Sequence, residues 1–175
     1  MTRLWPIKEN IDDKLSPNIR AIQFNIFENL GTSPIDKYIS FLRDISVEDK
    51  NILSKLGIRI GAKYFFVPNF LKKASIELLA ILWCVYNEFK FDGILPLPKD
   101  GRVSFSSNNK MIEGYWLAIG YLRLNNFALR VDVFERIFFL ARQKIKSGPF
   151  IESSDLMNPV GCNKDQLKDI LEFCG

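Results

Sequence analysis

The chain has no histidine among its 175 residues. That removes the commonest general base, so neither a Ser–His nor a Cys–His nucleophile can be assembled. Cysteine is scarce as well. Cys84, Cys162 and Cys174 are odd in number and far apart, which argues against a disulfide framework. With no CxxC pair and no histidine, no zinc site is expected. A phosphate cradle of the GxxxxGK[ST] kind is missing, as is an Asp-Glu-x-His run after a strand to hold Mg²⁺. The chain alone is therefore expected to have no catalytic residue, no metal and no cofactor, and not to hydrolyse ATP. Long apolar runs are lacking too. The most apolar stretch, Ala74 to Tyr86, contains Glu77 and falls short of the ~20 residues that span a bilayer. Met1 to Pro6 shows no apolar signal-peptide core. A cytoplasmic protein with no membrane partner is the expectation.

What is present suits a packed fold. Hydrophobic residues make up 47% and aromatic residues 13%, enough to exclude a disordered tail and to fill one domain or two small ones. The formal charge of +4 is unevenly spread. Residues 102–146 hold 8 basic residues against 3 acidic ones, and residues 147–175 hold 2 against 5. A basic middle with an acidic end suits phosphate contact in the middle, although a solvated lysine- and arginine-rich surface would show the same counts.

Residues 1–14 read as a lead-in. Ser16-Pro17 is a helix start, followed by Ile19, Ile22, Ile26, Phe27 and Leu30 at helical spacing, with Phe24 off the stripe and Gly31 as the stop. A second helix is expected from Pro34 to about Arg43, with Ile35, Tyr38, Ile39 and Leu42 inward. Ser46 to Asp49 resembles a capping box and opens a third helix through Leu56. Lys63 to Val67 reads as a short strand cut off by Pro68. Ala74 to Phe89, apolar almost all round, is expected to be the central buried helix. Residues 91–108 read as a loop. Its Ser107-to-Lys110 SxxK match lacks the SDN and KTG companions of Ser/Lys acyl-transfer enzymes and is taken as loop. A helix over Lys110–Ile119 then leads to a hairpin, Tyr121–Leu124 and Phe127–Val131 around Asn125-Asn126. A long amphipathic helix follows from about Asp132 to Lys146, and Asn163…Gln166 opens the last one. The fold class is mainly α (α+β): a helical part over 15–90, a loop over 91–108, and a winged-helix-like part over 109–175 containing the short β-hairpin. No strand follows the last helix, so that part is expected to be truncated at its C-terminus.

Gly57-Ile58-Arg59-Ile60-Gly61, an aromatic and aliphatic run, Pro68, then Leu71-Lys72-Lys73 leading into an apolar helix with Trp83 carry a resemblance. So do Leu15-Ser16-Pro17 upstream and Gly120-Tyr121, Leu129 to Arg136, Pro149-Phe150 and Val160-Gly161-Cys162 downstream, in the same order. Together they resemble the C-terminal, non-motor region of bacterial superfamily 2 helicases related to the mitochondrial degradosome RNA helicase. The resemblance spans nearly the whole chain and rests on packing and turn patterns. It implies an accessory region that packs on helicase motor domains in cis and contacts single-stranded RNA or DNA. It carries over only structural residues: Gly57, Gly61 and Pro68 as backbone shapers, and Arg130, Asp132, Glu135 and Arg136 as the start of the long helix.

Nucleic-acid backbones need several cations on one face. The candidates near turns are Arg59, Lys63, Lys72, Lys73, Arg102, Arg123 and Arg130. Arg123 and Arg130 lie on paired strands and are expected to share a face, as wing residues would. Ordinary surface charge, or pairing with Asp92, Asp132 and Glu135, is the plainer alternative for each. Phe65, Phe66, Tyr115, Trp116 and Tyr121 are the aromatics that could stack on unpaired bases, though most phenylalanines fall on inward faces. The rival reading, of a different class, is a stand-alone winged-helix-like protein-interaction module with no nucleic-acid role.

Overall fold

Helix starts follow from local side-chain chemistry. The computed structural model describes residues 15–90, 93–99, 101–107, 111–146, 148, 154–157 and 161–174. In α1 (Pro17–Glu28) the Ser16 hydroxyl accepts from the Ile19 N–H at 3.4 Å, and Pro17 takes the first helical position, where a missing N–H costs nothing. Ile19, Ile22 and Ile26 are fully buried, and Phe24 points outward. The chain leaves the helix at Gly31, which takes φ +103° and donates its N–H to the Ile26 carbonyl at 2.8 Å.

The helix expected from Pro34 to Arg43 is instead three pieces: strand β1 (Thr32–Pro34), a 3₁₀ turn (Asp36–Tyr38) and α2 (Ile39–Arg43). Sheet pairing overrides helix periodicity here. Pro34 sits opposite Tyr64 on an edge strand, the place in a sheet that tolerates a residue without an N–H. Ile39 is correspondingly outward, not inward. Helix α3 (Val47–Lys55) starts on Ser46, whose hydroxyl accepts from the Asp49 N–H at 3.0 Å. Strands β2 (Arg59–Ile60) and β3 (Tyr64–Phe66) follow, and β3 is central in an antiparallel sheet of order β1-β3-β2. Pro68 ends β3 and opens a 3₁₀ turn (Pro68–Leu71).

Helix α4 (Lys73–Tyr86) corrects the expectation of an all-round buried helix. It buries Ile76, Leu79, Ala80 and Trp83, while Leu78, Ile81, Val85 and Tyr86 face outward. Residues 91–108 are not all loop either. Ser104–Ser106 form β4, drawn into a sheet because β6 offers it an unpaired edge. Helix α5 (Glu113–Ala118), β5 (Tyr121–Leu124) and β6 (Phe127–Arg130) follow, with Asn125 at φ +42° in the hairpin turn. The second sheet is antiparallel, of order β4-β6-β5. Helix α6 (Val131–Lys146) leaves β6 directly, then come α7 (Ser154–Met157) and α8 (Lys164–Cys174). The α8 start is a reciprocal cap: Gln166 N–H donates to Asn163 Oδ1 at 2.9 Å, and Asn163 N–H to Gln166 Oε1 at 3.1 Å.

The strands divide the interior. Tyr121 and Ala128 join a first core with α1, α3, α4, α5 and Phe65. Leu122, Leu124, Phe127 and Leu129 join a second core with α6, α8 and Leu156. The period of two along each strand sends alternate side chains to opposite cores. Tyr64 and Leu71, from the N-terminal part, also belong to the second core. The fold is thus mixed α/β, mostly helical, with two small antiparallel sheets. Because both faces of the hairpin are covered, it does not project as a free wing. The lead-in 1–14 lies outside the described residues. No helix among the described residues is long and apolar enough to cross a membrane.

Candidate nucleic-acid interface

One carboxylate organises the surface around the GIRIG run. Glu135, on the inward side of α6 and only 9% exposed, reaches the turn between β2 and β3. Its Oε2 accepts from the Ala62 N–H at 2.5 Å, and its Oε1 accepts from Lys63 at 2.9 Å and Tyr64 at 2.7 Å. Three successive backbone donors meeting one carboxylate form a charge-assisted clamp. A Cβ at position 61 would land on that carboxylate and push it aside, which Gly61 avoids.

The clamp closes a groove of about 640 Å³ between the β2–β3 turn and α6. Arg59 enters it from β2; Arg136 and Arg142 enter from α6. The two carboxylates in its lining are already engaged. Glu135 holds the turn, and Asp132 accepts from Arg130 at 2.7 Å through Nε and at 3.0 Å through a terminal nitrogen. No ion pair among the described residues neutralises Arg59, Arg136 or Arg142. Aromatic rings share the groove: half-buried Phe66, buried Phe138 and exposed Phe139. The Lys63 ammonium and the Arg142 guanidinium each lie 5.6 Å from the Phe138 ring centroid, within cation–π range. Guanidiniums can take phosphate oxygens, and an open aromatic ring can stack on a base.

Of the seven basic residues singled out in the sequence, Arg59 and Lys63 belong to this region. Arg123 and Arg130 do share a hairpin face, as the register pairs Arg123 with Ala128 and Tyr121 with Arg130. That face packs on the first core, and both arginines are half-buried there. Arg130 is locked to Asp132, whose hydrogen bond raises the guanidinium pKa against the opposing effect of burial. Arg123 donates to the Met111 carbonyl at 3.4 Å. Lys72 and Lys73 sit at the start of α4, and Arg102 lies exposed before β4. None of these three lines the groove. Phe65, Tyr115, Trp116 and Tyr121 are fully buried and closed to stacking, which leaves Phe66 of the five aromatic candidates. Arg136, Arg142 and Phe139 were not recognised as site residues. Their signal was available as Arg136-x-x-Phe139-x-x-Arg142, a spacing that puts all three on one ridge of a helix. Among the described residues no group of three or more His, Cys, Asp or Glu could hold a metal ion.

Buried phenols and half-buried thiols of the two cores should make the fold sensitive to alkali. Burial, then the charges of Glu113, Asp36 and Glu135, push Tyr64 up to about 12. Burial pushes Tyr121 up to about 12, with Arg130 opposing and Asp132 adding. Burial also raises Tyr115, and it lifts Cys174 to about 11 against the pull of Lys63. Each group is charged only after losing its proton, and each loses it later in the folded state than in the unfolded chain. Stability from this source is full below the unfolded values, near 8.5 for thiols and 10 for phenols, and is lost as pH climbs towards 12. Urea midpoints should therefore fall steadily between about pH 9 and pH 12, and less steeply for Tyr64→Phe. A midpoint at pH 11 equal to that at pH 8 would contradict this.

Compared with known proteins, the chain matches no family model, no curated protein and no solved structure.

Proposed function

We propose that this chain is an accessory, non-motor part of an ATP-dependent helicase, and that the groove between the β2–β3 turn and α6 contacts the nucleic-acid backbone. One observation carries the reading. Three guanidiniums converge on a concave surface whose two carboxylates are already bound elsewhere in the fold. The three guanidiniums outnumber the two lining carboxylates, one of which is already paired with Arg130, and a cation-rich groove suits a polyanion; arginine suits phosphate because its donors form a planar fork. The order of features along the chain, from the GIRIG run to the start of α6, is what supports the helicase context.

Backbone contact of this kind displaces condensed cations, so affinity must fall with salt. Binding of a labelled single-stranded RNA should be measured over a salt series for the wild type and for the combined Arg59→Ala, Arg136→Ala and Arg142→Ala variant. Losing three phosphate contacts should flatten the log–log slope by about 2 on a single strand. Because all three arginines are exposed, the variant should melt like the wild type. An equal slope in both proteins would remove the groove from the interface.

The rival reading, a protein-interaction module, has the outward apolar side chains of α4 in its favour. Under it, Ile81→Asp with Val85→Asp would abolish the chain's association with its partner, and the arginine variant would leave that association intact.

A further inference from the structure

Phe139 is 59% exposed on α6, between Arg136 and Arg142 and beside the groove they line. A single exposed apolar side chain is ordinary on a protein surface. What sets this one apart is its company. The spacing of three and then three residues sets Arg136, Phe139 and Arg142 along one ridge, the two arginine backbone positions about 9 Å apart along the helix axis. Phe138, the next residue inward, already has Lys63 and Arg142 against its ring. No ring or cation among the described residues packs on Phe139. A flat ring open to solvent with a guanidinium on either side offers a base one surface and its flanking phosphates two.

We infer that Phe139 is a base-stacking platform that makes the groove select unpaired strands over duplex. The inference rests on the reading of the groove as a nucleic-acid site and names the form of nucleic acid it takes. In a duplex each base face is hidden against its neighbours and only phosphates are outermost, so Arg59, Arg136 and Arg142 could be engaged but Phe139 could not. In a single strand a base can turn out and lie on the ring, a contact that tolerates any sequence because every base has a π-face. Leucine at this position would keep apolar bulk but lose the flat face, whereas tryptophan would extend it.

The test uses the whole chain and three probes of one length: a mixed-sequence single-stranded RNA, the same sequence as a duplex, and an abasic strand carrying phosphates alone. The wild type should bind the single strand more tightly than the other two. Phe139→Ala and Phe139→Leu should each weaken single-strand binding roughly 5- to 150-fold, the effect of one stacked base. They should leave duplex and abasic binding unchanged, and Phe139→Trp should retain full affinity. All variants should melt with the wild type, since the side chain is exposed. Single-strand binding that is intact in Phe139→Ala would overturn the inference and leave the groove reading standing. Equal loss on the abasic strand would do the same. Failure to bind any of the three probes, or polyglutamate competing as well as the RNA, would overturn both.

Discussion

Replacing Glu135 with alanine should destabilise the fold by about 3–5 kcal/mol, seen as a lower urea midpoint at an unchanged slope. The figure follows from what is left behind. The Ala62, Lys63 and Tyr64 N–H groups lose their acceptor together, and that of Tyr64 is buried. A buried donor without a partner costs about 1–3 kcal/mol, more when its lost partner was charged. Glu135→Gln keeps one acceptor oxygen for the Lys63 and Tyr64 donors but turns an amide N–H towards Ala62, so it should lie between. Gly61→Ala attacks the same clamp from the other side by pushing the carboxylate off its donors. The two changes should be strongly non-additive: with Glu135 already gone, the three atoms nearest the extra methyl are gone too, and it should cost little. If Glu135→Ala melts at the wild-type midpoint, or if Gly61→Ala costs the same in both backgrounds, the clamp does not hold the turn to α6. The groove would then lack the element that fixes Arg59 opposite Arg136 and Arg142.

That clamp also shows why the sequence disclosed some features and not others. Ser16-Pro17, Ser46 and Asn163…Gln166 act within a few residues of themselves, so their roles as helix starts could be read from order alone. The same holds for Asn125-Asn126 between two alternating strands. Pairings at long range left no such trace. Nothing near Glu135 announces that it will meet the backbone around Lys63, more than 70 positions earlier. Strand β4 was invisible because Ser104-Phe105-Ser106 has little intrinsic preference for strand and is held by its neighbour β6. Charge identity was legible where charge availability was not. Arg130 and Arg136 look alike in sequence, yet Asp132 occupies one and leaves the other open. The groove could have been suspected from the ridge Arg136, Phe139 and Arg142. Its second wall could not, since that depends on where the β2–β3 turn docks.

Trp83→Ala should be comparably damaging, and its contrast with neighbours on the same helix tests how α4 sits. The indole is 7% exposed in the first core. Its ring lies 5.6 Å from those of both Tyr115 and Phe89, so truncation removes contacts to α5 and to the chain that follows α4. Deleting a buried tryptophan loses its transfer free energy and leaves a cavity that rigid neighbours refill poorly, a cost of about 3–5 kcal/mol. That approaches the whole stability of a small domain, so the variant should be largely unfolded at 37 °C or melt far below the wild type. Ile81→Ala and Val85→Ala, each two residues from Trp83 and so on the outward side of the helix, should each stay within about 0.5 kcal/mol of wild type, because those side chains are 54% and 71% exposed. A helix buried all round, as its composition alone suggests, would make all three substitutions severe. A helix buried on one side makes only Trp83→Ala severe. Near-native melting of Trp83→Ala would place the indole outside the core, and with it the packing of α4 on α5.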